Sequence, residues 1–261
     1  LSPKNEDAID TIIVNGAECE PYLTSDYRRM IEEPEKIVIG LQIVINLFDH
    51  ASGIIAIEDN KPDAIKKLTE LTKDIDNIRV NPVKTKYPQG AERQLIYANT
   101  GREINSSMLP ADAGCIVHNI DTIYAIYNAI IEGRPLFERI VTVTGDAVND
   151  TANFKVRIGT NMRELIDAVG GFNIEDPGKI ISGGPMMGFA LYDLHIPCTK
   201  TTSSLLFLER DAVSEAKNIQ TACINCGRCV NVCPGHVIPA RLATLAEHGD
   251  MEGFEKMDGM E

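Results

Sequence analysis

The sequence predicts an α/β domain with a parallel sheet, then a small α+β module, then a short helical segment built around cysteines. Three observations carry this reading. Strand-like and helix-like runs alternate from residue 11 to about 132, a pattern that favours a parallel sheet with helices on both faces. Two alternating strands, one helix and a further strand then follow within about 65 residues, an order of β-grasp type. Beyond residue 200 the pattern thins to one strand-like run, a cysteine cluster and a short helix. The corresponding boundaries are about 1–135, 136–200 and 201–261.

The elements follow in order. Thr11 to Val14 is a β-branched run ending at Asn15-Gly16, a strand and its turn. From Pro34 to Phe48 apolar residues recur at helical spacing, with Pro34 suited to a first helical position. Gly53 to Ile57 is the second strand, and a helix opens at Pro62 and runs through Ile65, Leu68 and Leu71. Ile78 to Val80 is the third strand, Ala91 to Ala98 a helix, Cys115 to Val117 the fourth strand and Thr122 to Ile131 a helix. Gly133-Arg134-Pro135 breaks the alternation. Arg139 to Gly145 and Phe154 to Ile158 are strands, Met162 to Val169 a helix ended by Gly170-Gly171, and Lys179 to Ser182 a strand. Ser204 to Leu208 is strand-like and Pro239 to Glu247 helical; the third segment begins before both.

Composition narrows the function classes. Lys+Arg is 25 and Asp+Glu 38, so the net charge of −13 argues against binding a nucleic-acid backbone. No apolar run approaches the ~18 residues of a membrane span; the best, Ile37 to Phe48, is broken by Gln42 and Asn46 and reads as a buried helix. The first residues are neither basic nor apolar, so no signal peptide is expected. Seven cysteines without one point to a reducing compartment, where clustered thiols bind metal. Leu1 and the stop at Met260-Glu261 look like cut ends.

Cys223-x-x-Cys226-x-x-Cys229-x-x-x-Cys233-Pro234 is the cysteine run of bacterial-type ferredoxins. Two-residue gaps let a tight loop bring three thiolates to three corners of a 4Fe–4S cubane, and the fourth cysteine of such a run ligates the other cluster in two-cluster ferredoxins. Structural zinc sites instead use cysteine pairs a dozen or more residues apart. No cysteine follows Cys233, so a second run is expected beyond Glu261. The five histidines show no metal-binding pairing, and Tyr124 and Tyr127 at helical spacing read as core.

Ligands of parallel sheets bind at the carboxyl ends of the strands. That places Asn15-Gly16, the loop from Tyr87 to Glu92, and His118-Asn119 on one rim. Acidic residues on a turn such as Glu18 and Glu20 are ordinarily just solvated. With the cysteine run, however, the segments Asn15 to Tyr22, Tyr87 to Leu95, His118 to Thr122 and Ser182 to Gly188 stand in family order across nearly the whole chain. In these the sequence resembles the C subunit of the Rnf electron-transport complex, whose flavin domain is shared with the NADH-oxidising flavoprotein of respiratory complex I.

The resemblance implies an α/β Rossmann-like flavin domain, a β-grasp module of soluble-ligand-binding type and a partial helical ferredoxin-like segment. By it, Asn15 bonds the isoalloxazine of FMN, Glu18 and Glu20 position flavin and NADH, and the segment from Gly90 to Glu92 covers the ring. Glu92 approaches the nucleotide, and Asn119 and Thr122 hold a flavin edge or phosphate at a helix N-terminus. The relatives carry two successive acids where this chain has Ala91-Glu92. Their glycine-rich phosphate loop precedes the segment that starts here. Gly183 to Gly188 is a turn of the β-grasp module.

The implied function is electron transfer between NADH and ferredoxin through FMN and two 4Fe–4S clusters, an NADH-linked oxidoreductase activity of a membrane ion-translocating complex. The chain would be a peripheral subunit on the cytoplasmic face of the cell membrane, in contact with other subunits, and inactive as this segment alone. The alternatives are a soluble flavin and iron–sulfur reductase such as a corrinoid reductase, and a non-enzymatic iron–sulfur electron-transfer module.

Overall fold

Strand β1, Thr11–Gly16, is buried on both sides, and its alternation shows why. Ile12 and Val14 enter one core while Ile13 enters another on the opposite face. In the computed structural model, which describes residues 5–105, 107–216 and 222–260, β1 sits inside a four-stranded parallel sheet. Residues 1–4 and 261 lie outside the described residues. The chain divides into two units, 1–211 and 212–261.

Helices α1 (Ser25–Glu32) and α2 (Pro34–Ile45) follow β1. Then come β2 (Ser52–Glu58), α3 (Pro62–Thr72), β3 (Ile78–Val83), α4 (Glu92–Thr100), β4 (Cys115–Asn119) and α5 (Ile120–Ile130). The strand order is β3-β2-β1-β4. Residues of α2, α3 and α5 fill the core on one face, and Leu95 and Ile96 of α4 fill the other. The α/β reading therefore holds. Two details differ from it. Helix α1 is additional, and α5 starts at Ile120 because the Asn119 side chain accepts the Asp121 N–H and caps it. Where α2 crosses α5, Gly40 lets the backbones meet: a Cβ there would stand 2.4 Å from the Ile123 carbonyl oxygen.

The second sheet holds β5 (Glu138–Gly145), β6 (Ala152–Arg157), β7 (Lys179–Ser182), β8 (Phe189–Leu191) and β9 (Ser204–Leu208), in the order β6-β5-β9-β7-β8. Helix α6, Met162–Ala168, covers it through Met162, Leu165 and Ile166. The run Ser204–Leu208, which the sequence reading sets at the head of the third segment, is the central strand here, parallel to β5 and antiparallel to β7. Its residues Ser204 to Phe207 are buried. The two sheets meet at the start of α1, where the Thr24 N–H donates to Thr142 Oγ1 at 3.3 Å.

The described residues of the second unit include four short helices: α7 (Ala212–Ala216), α8 (Arg228–Val232), α9 (Pro239–Glu247) and α10 (Met251–Lys256). Leu242 and Leu245 of α9 are buried. Asp250 caps α10 by accepting the Gly253 N–H at 2.9 Å. Among the described residues no helix is long and apolar enough to cross a membrane.

Candidate functional site

In the order β3-β2-β1-β4 the chain turns back between β1 and β4, and such switch points open a crevice at the strand ends. The register pairs Asn15 with Asn119. A cleft of about 490 Å³ lies at this point. Asn15, Glu18, Glu20, Gly90, Asn119 and Thr122 all line it. Glu92 does not: it is exposed as the first residue of α4. His118 also stays out of the lining.

The polar groups of the Asn15–Glu20 turn are taken by the protein itself. Asn15 Nδ2 donates to Gly90 O at 2.9 Å, and its Oδ1 accepts from the Ala17 N–H at 3.2 Å. The Gly90 N–H donates to Cys19 Sγ at 3.3 Å. Burial pushes the Cys19 thiol up, so it remains protonated at neutral pH. Lys61 Nζ, itself buried, donates to Ala17 O at 2.8 Å. Glu18 accepts the Asp26 and Tyr27 N–H groups at 2.8 and 3.2 Å, two donors that the first turn of α1 leaves without helical partners. Glu20 reaches the other sheet: Oε2 accepts the Met186 N–H at 3.1 Å and Oε1 the Met187 N–H at 2.6 Å. The resemblance has these side chains meeting the cofactor directly. In the structure they tie the Gly90 loop, the start of α1 and the Met186–Met187 turn to the Asn15–Glu20 turn at the cleft.

Residues that the sequence reading does not single out complete the cleft. Asp26 accepts from Asn119 Nδ2 at 2.8 Å. Behind it, Asp121 takes Arg29 Nε at 2.9 Å, and the Arg29 guanidinium lies 3.5 Å from the Tyr124 ring centroid. Arg139 lines the cleft with Nη2 at 3.6 Å from Asp121 Oδ2. Its Nε is buried with no hydrogen-bond partner among the described residues. Leu23, Ala125 and Met187 add apolar wall. The cleft thus suits a flat, partly apolar ring carrying acceptor atoms, and the residues present fit a flavin.

Burial, and then the neighbouring Asp26 charge, push the Glu18 carboxyl up to about 8. Burial likewise raises Asp26 to about 6. The folded state then binds a proton at Glu18 that the unfolded chain releases near pH 4.5. Its contribution is fully present below that pH and is lost as pH rises toward 8. We therefore expect wild-type protein to lose melting temperature between pH 5 and pH 9 relative to Glu18→Gln. Parallel melting curves for the two proteins would refute this.

In the second unit, Cys223, Cys226 and Cys229 are exposed and Cys233 is half-buried; all four are free thiols. Asn225 and Gly227 between them have φ of 55° and 70°, left-handed values that turn the loop tightly. Cys229 lies in the first turn of α8, and Cys233 immediately follows that helix. Among the described residues no three His, Cys, Asp or Glu gather into a metal-holding group. The donor set, four accessible soft sulfurs, fits an iron–sulfur cluster.

Comparisons with known proteins agree with this organisation. Residues 1–128 match the Nuo51 FMN-binding domain, 140–190 the SLBB domain and 217–238 a 4Fe-4S binding domain. The fold resembles solved structures of an NAD+-reducing [NiFe]-hydrogenase: in the air-oxidized state the TM-score is 0.63 at 16% identity, over 78% of this chain and 41% of that one. Fold and site thus define a protein with an FMN-binding domain, an SLBB domain and a 4Fe–4S segment.

The particular relatives are C subunits of ion-translocating complexes. The C subunit of the proton-translocating ferredoxin:NAD(+) oxidoreductase complex of Clostridium ljungdahlii is 47% identical over 95% of this chain and 53% of its own length. That of the Na(+)-translocating ferredoxin:NAD(+) oxidoreductase complex of Acetobacterium woodii is 43% identical over 97% of this chain and 56% of its own. The chain belongs to this family, the C subunits of Rnf complexes, and spans about half the length of the curated relatives it matches.

Proposed function

We propose that the chain transfers electrons between NADH and ferredoxin, with FMN in the β1/β4 cleft and 4Fe–4S clusters on the cysteine loop. In this reading it is a peripheral subunit of a membrane ion-translocating complex, on the cytoplasmic face and in contact with the other subunits. The observation that carries the proposal is the polar cleft at the β1/β4 switch point, walled by Asn15, Glu18, Gly90, Asn119, Thr122 and Arg139. The same chain bears four closely spaced thiols.

When bound, FMN supplies the exchange between a two-electron hydride donor and one-electron carriers. Arg139, which lines the cleft, would offer its positive charge to an acceptor of the flavin. The N-terminus of α5, with Asn119 as its cap, favours a negative group. Glu18 holds its proton at neutral pH and so reduces the negative charge that the acidic turn presents to the ring. Cys223, Cys226 and Cys229 hold iron of one cluster, and Cys233 serves a second.

Anaerobic reconstitution with FMN, iron and sulfide, followed by titration with NADH, tests the proposal. We expect stoichiometric FMN and bleaching of both flavin and cluster absorbance. Protein that binds no FMN, or bound FMN that NADH leaves oxidised, would overturn it. Arg139→Met should lower FMN affinity about tenfold, the effect of losing one charged hydrogen bond; unchanged retention would remove Arg139 from the site.

A further inference from the structure

We propose that Glu20 is a positioning residue: its carboxylate holds the Gly183–Gly188 loop of the second sheet as one wall of the nucleotide site, and Met187 is the side chain that this loop presents to the nucleotide. The inference rests on the proposed binding of NADH beside the flavin in the β1/β4 cleft.

Both carboxylate oxygens of Glu20 are occupied by consecutive backbone amides, those of Met186 and Met187. Two adjacent N–H groups converging on one anion form a nest, and such bonds to an ionised acceptor are the strong ones. A carboxylate held in this way has its best acceptor directions turned toward the loop and away from a ligand.

The loop is shaped for the contact. It joins β7 to β8, and Gly183 turns it with φ of 101°. At Gly184 a Cβ would stand 2.2 Å from Glu20 Oε2, and at Gly188 another would stand 2.4 Å from Gly184 O. Only a bare backbone lets the carboxylate close over the turn.

The clamped loop lies where it can act on a ligand. Glu20, Leu23, Met187 and Ser203 line both the β1/β4 cleft and a neighbouring one of about 480 Å³ in the second sheet, so they form the partition between the two. Met187 is 78% exposed. Its side chain therefore adds little to the core, yet it stands in the wall of both clefts. Releasing Glu20 would free that wall without touching the flavin-facing residues Arg139, Asn119 and Thr122.

The test compares Glu20→Gln, Gly184→Ala, the double variant and Met187→Ala in flavin-loaded protein. Gly184→Ala leaves Glu20 in place but drives its carboxylate off the loop. NADH affinity, flavin content and hydrogen exchange at the Met186 and Met187 amides are measured for each.

We expect the two amides to be protected in wild type and to exchange faster in Glu20→Gln and in Gly184→Ala. Each of these variants should weaken NADH binding about tenfold, as for loss of a charge-assisted bond, while flavin content is kept. The double variant should be no weaker than either single one, since both break the same contact. Met187→Ala should weaken NADH binding with its amide still protected.

Fast-exchanging amides in Gly184→Ala together with wild-type NADH affinity would overturn the proposal, as would additive losses in the double variant. Unaltered binding in Met187→Ala would overturn the part assigned to that side chain. If wild-type, flavin-loaded protein binds no NADH, the functional reading itself fails. The amide exchange then still shows separately whether Glu20 holds the loop.

Discussion

Cys229→Ser lowers bound iron and acid-labile sulfide by about the content of one cluster and removes the corresponding visible absorbance. The reason is chemical. A serine oxygen is a hard donor with a high pKa, and iron–sulfur clusters select soft thiolate. Position matters as well: Cys229 stands in the first turn of α8, immediately beyond the left-handed Gly227, so no neighbouring thiol can take its place without unwinding that turn. Cys198→Ser is the control. Its thiol is buried in the core of the second sheet, and its loss should reduce melting temperature while leaving iron unchanged. Iron and sulfide equal to wild type in Cys229→Ser would remove this cysteine from the ligand set. A fall in iron in Cys198→Ser at full folding would show that the loop is not the cluster site.

The strands of the first sheet were legible because their signals are local, while their order in the sheet was not read from the sequence. Each strand of the first sheet is a short β-branched run next to its own turn, and the α/β alternation follows from such runs. Helix α1 carried a signal of the same kind, with Tyr27, Met30 and Ile31 at helical spacing, but it is brief and hemmed in by Pro21 and Pro34. The place of β9 was not legible. Its partners β5 and β7 lie far away in sequence, and nothing in Ser204–Leu208 names them.

The same division holds in the site. Glu18 bonds amides eight and nine residues ahead, a distance at which an acid before a helix can be read as a cap. Glu20 bonds amides 166 and 167 residues away, beyond any local pattern. Motif resemblance located both carboxylates at the cleft, but it could not distinguish a ligand contact from a clamp. That distinction depends on which backbone donors arrive from elsewhere in the fold. Arg139 was missed for a related reason. A lone arginine at the start of a strand is ordinarily solvated, and only its buried, unpartnered Nε marks it out.

Asn15→Leu should be the most damaging single change within the flavin domain. Leucine keeps the branched shape of asparagine and removes its hydrogen bonding. Two groups lose their partners: the Gly90 carbonyl, which accepts Asn15 Nδ2 at 2.9 Å, and the Ala17 N–H, which donates to Asn15 Oδ1 at 3.2 Å. Each unpaired group costs roughly 1–3 kcal/mol where water cannot reach it. At about 2–4 °C per kcal/mol for a domain of this size, the melting temperature should fall by roughly 5–10 °C. The loop from Tyr87 to Ala91, tied to β1 by this bond and by the Gly90-to-Cys19 contact, should loosen and release flavin. Asn15→Asp separates the two bonds, because it keeps an acceptor for Ala17 but sets a carboxylate against the Gly90 carbonyl. It should lose flavin as readily as the leucine variant while melting at a temperature between that variant and wild type. A leucine variant that melts like wild type and keeps its FMN would show that the Gly90 loop is held by other contacts and that Asn15 is free to meet the ligand.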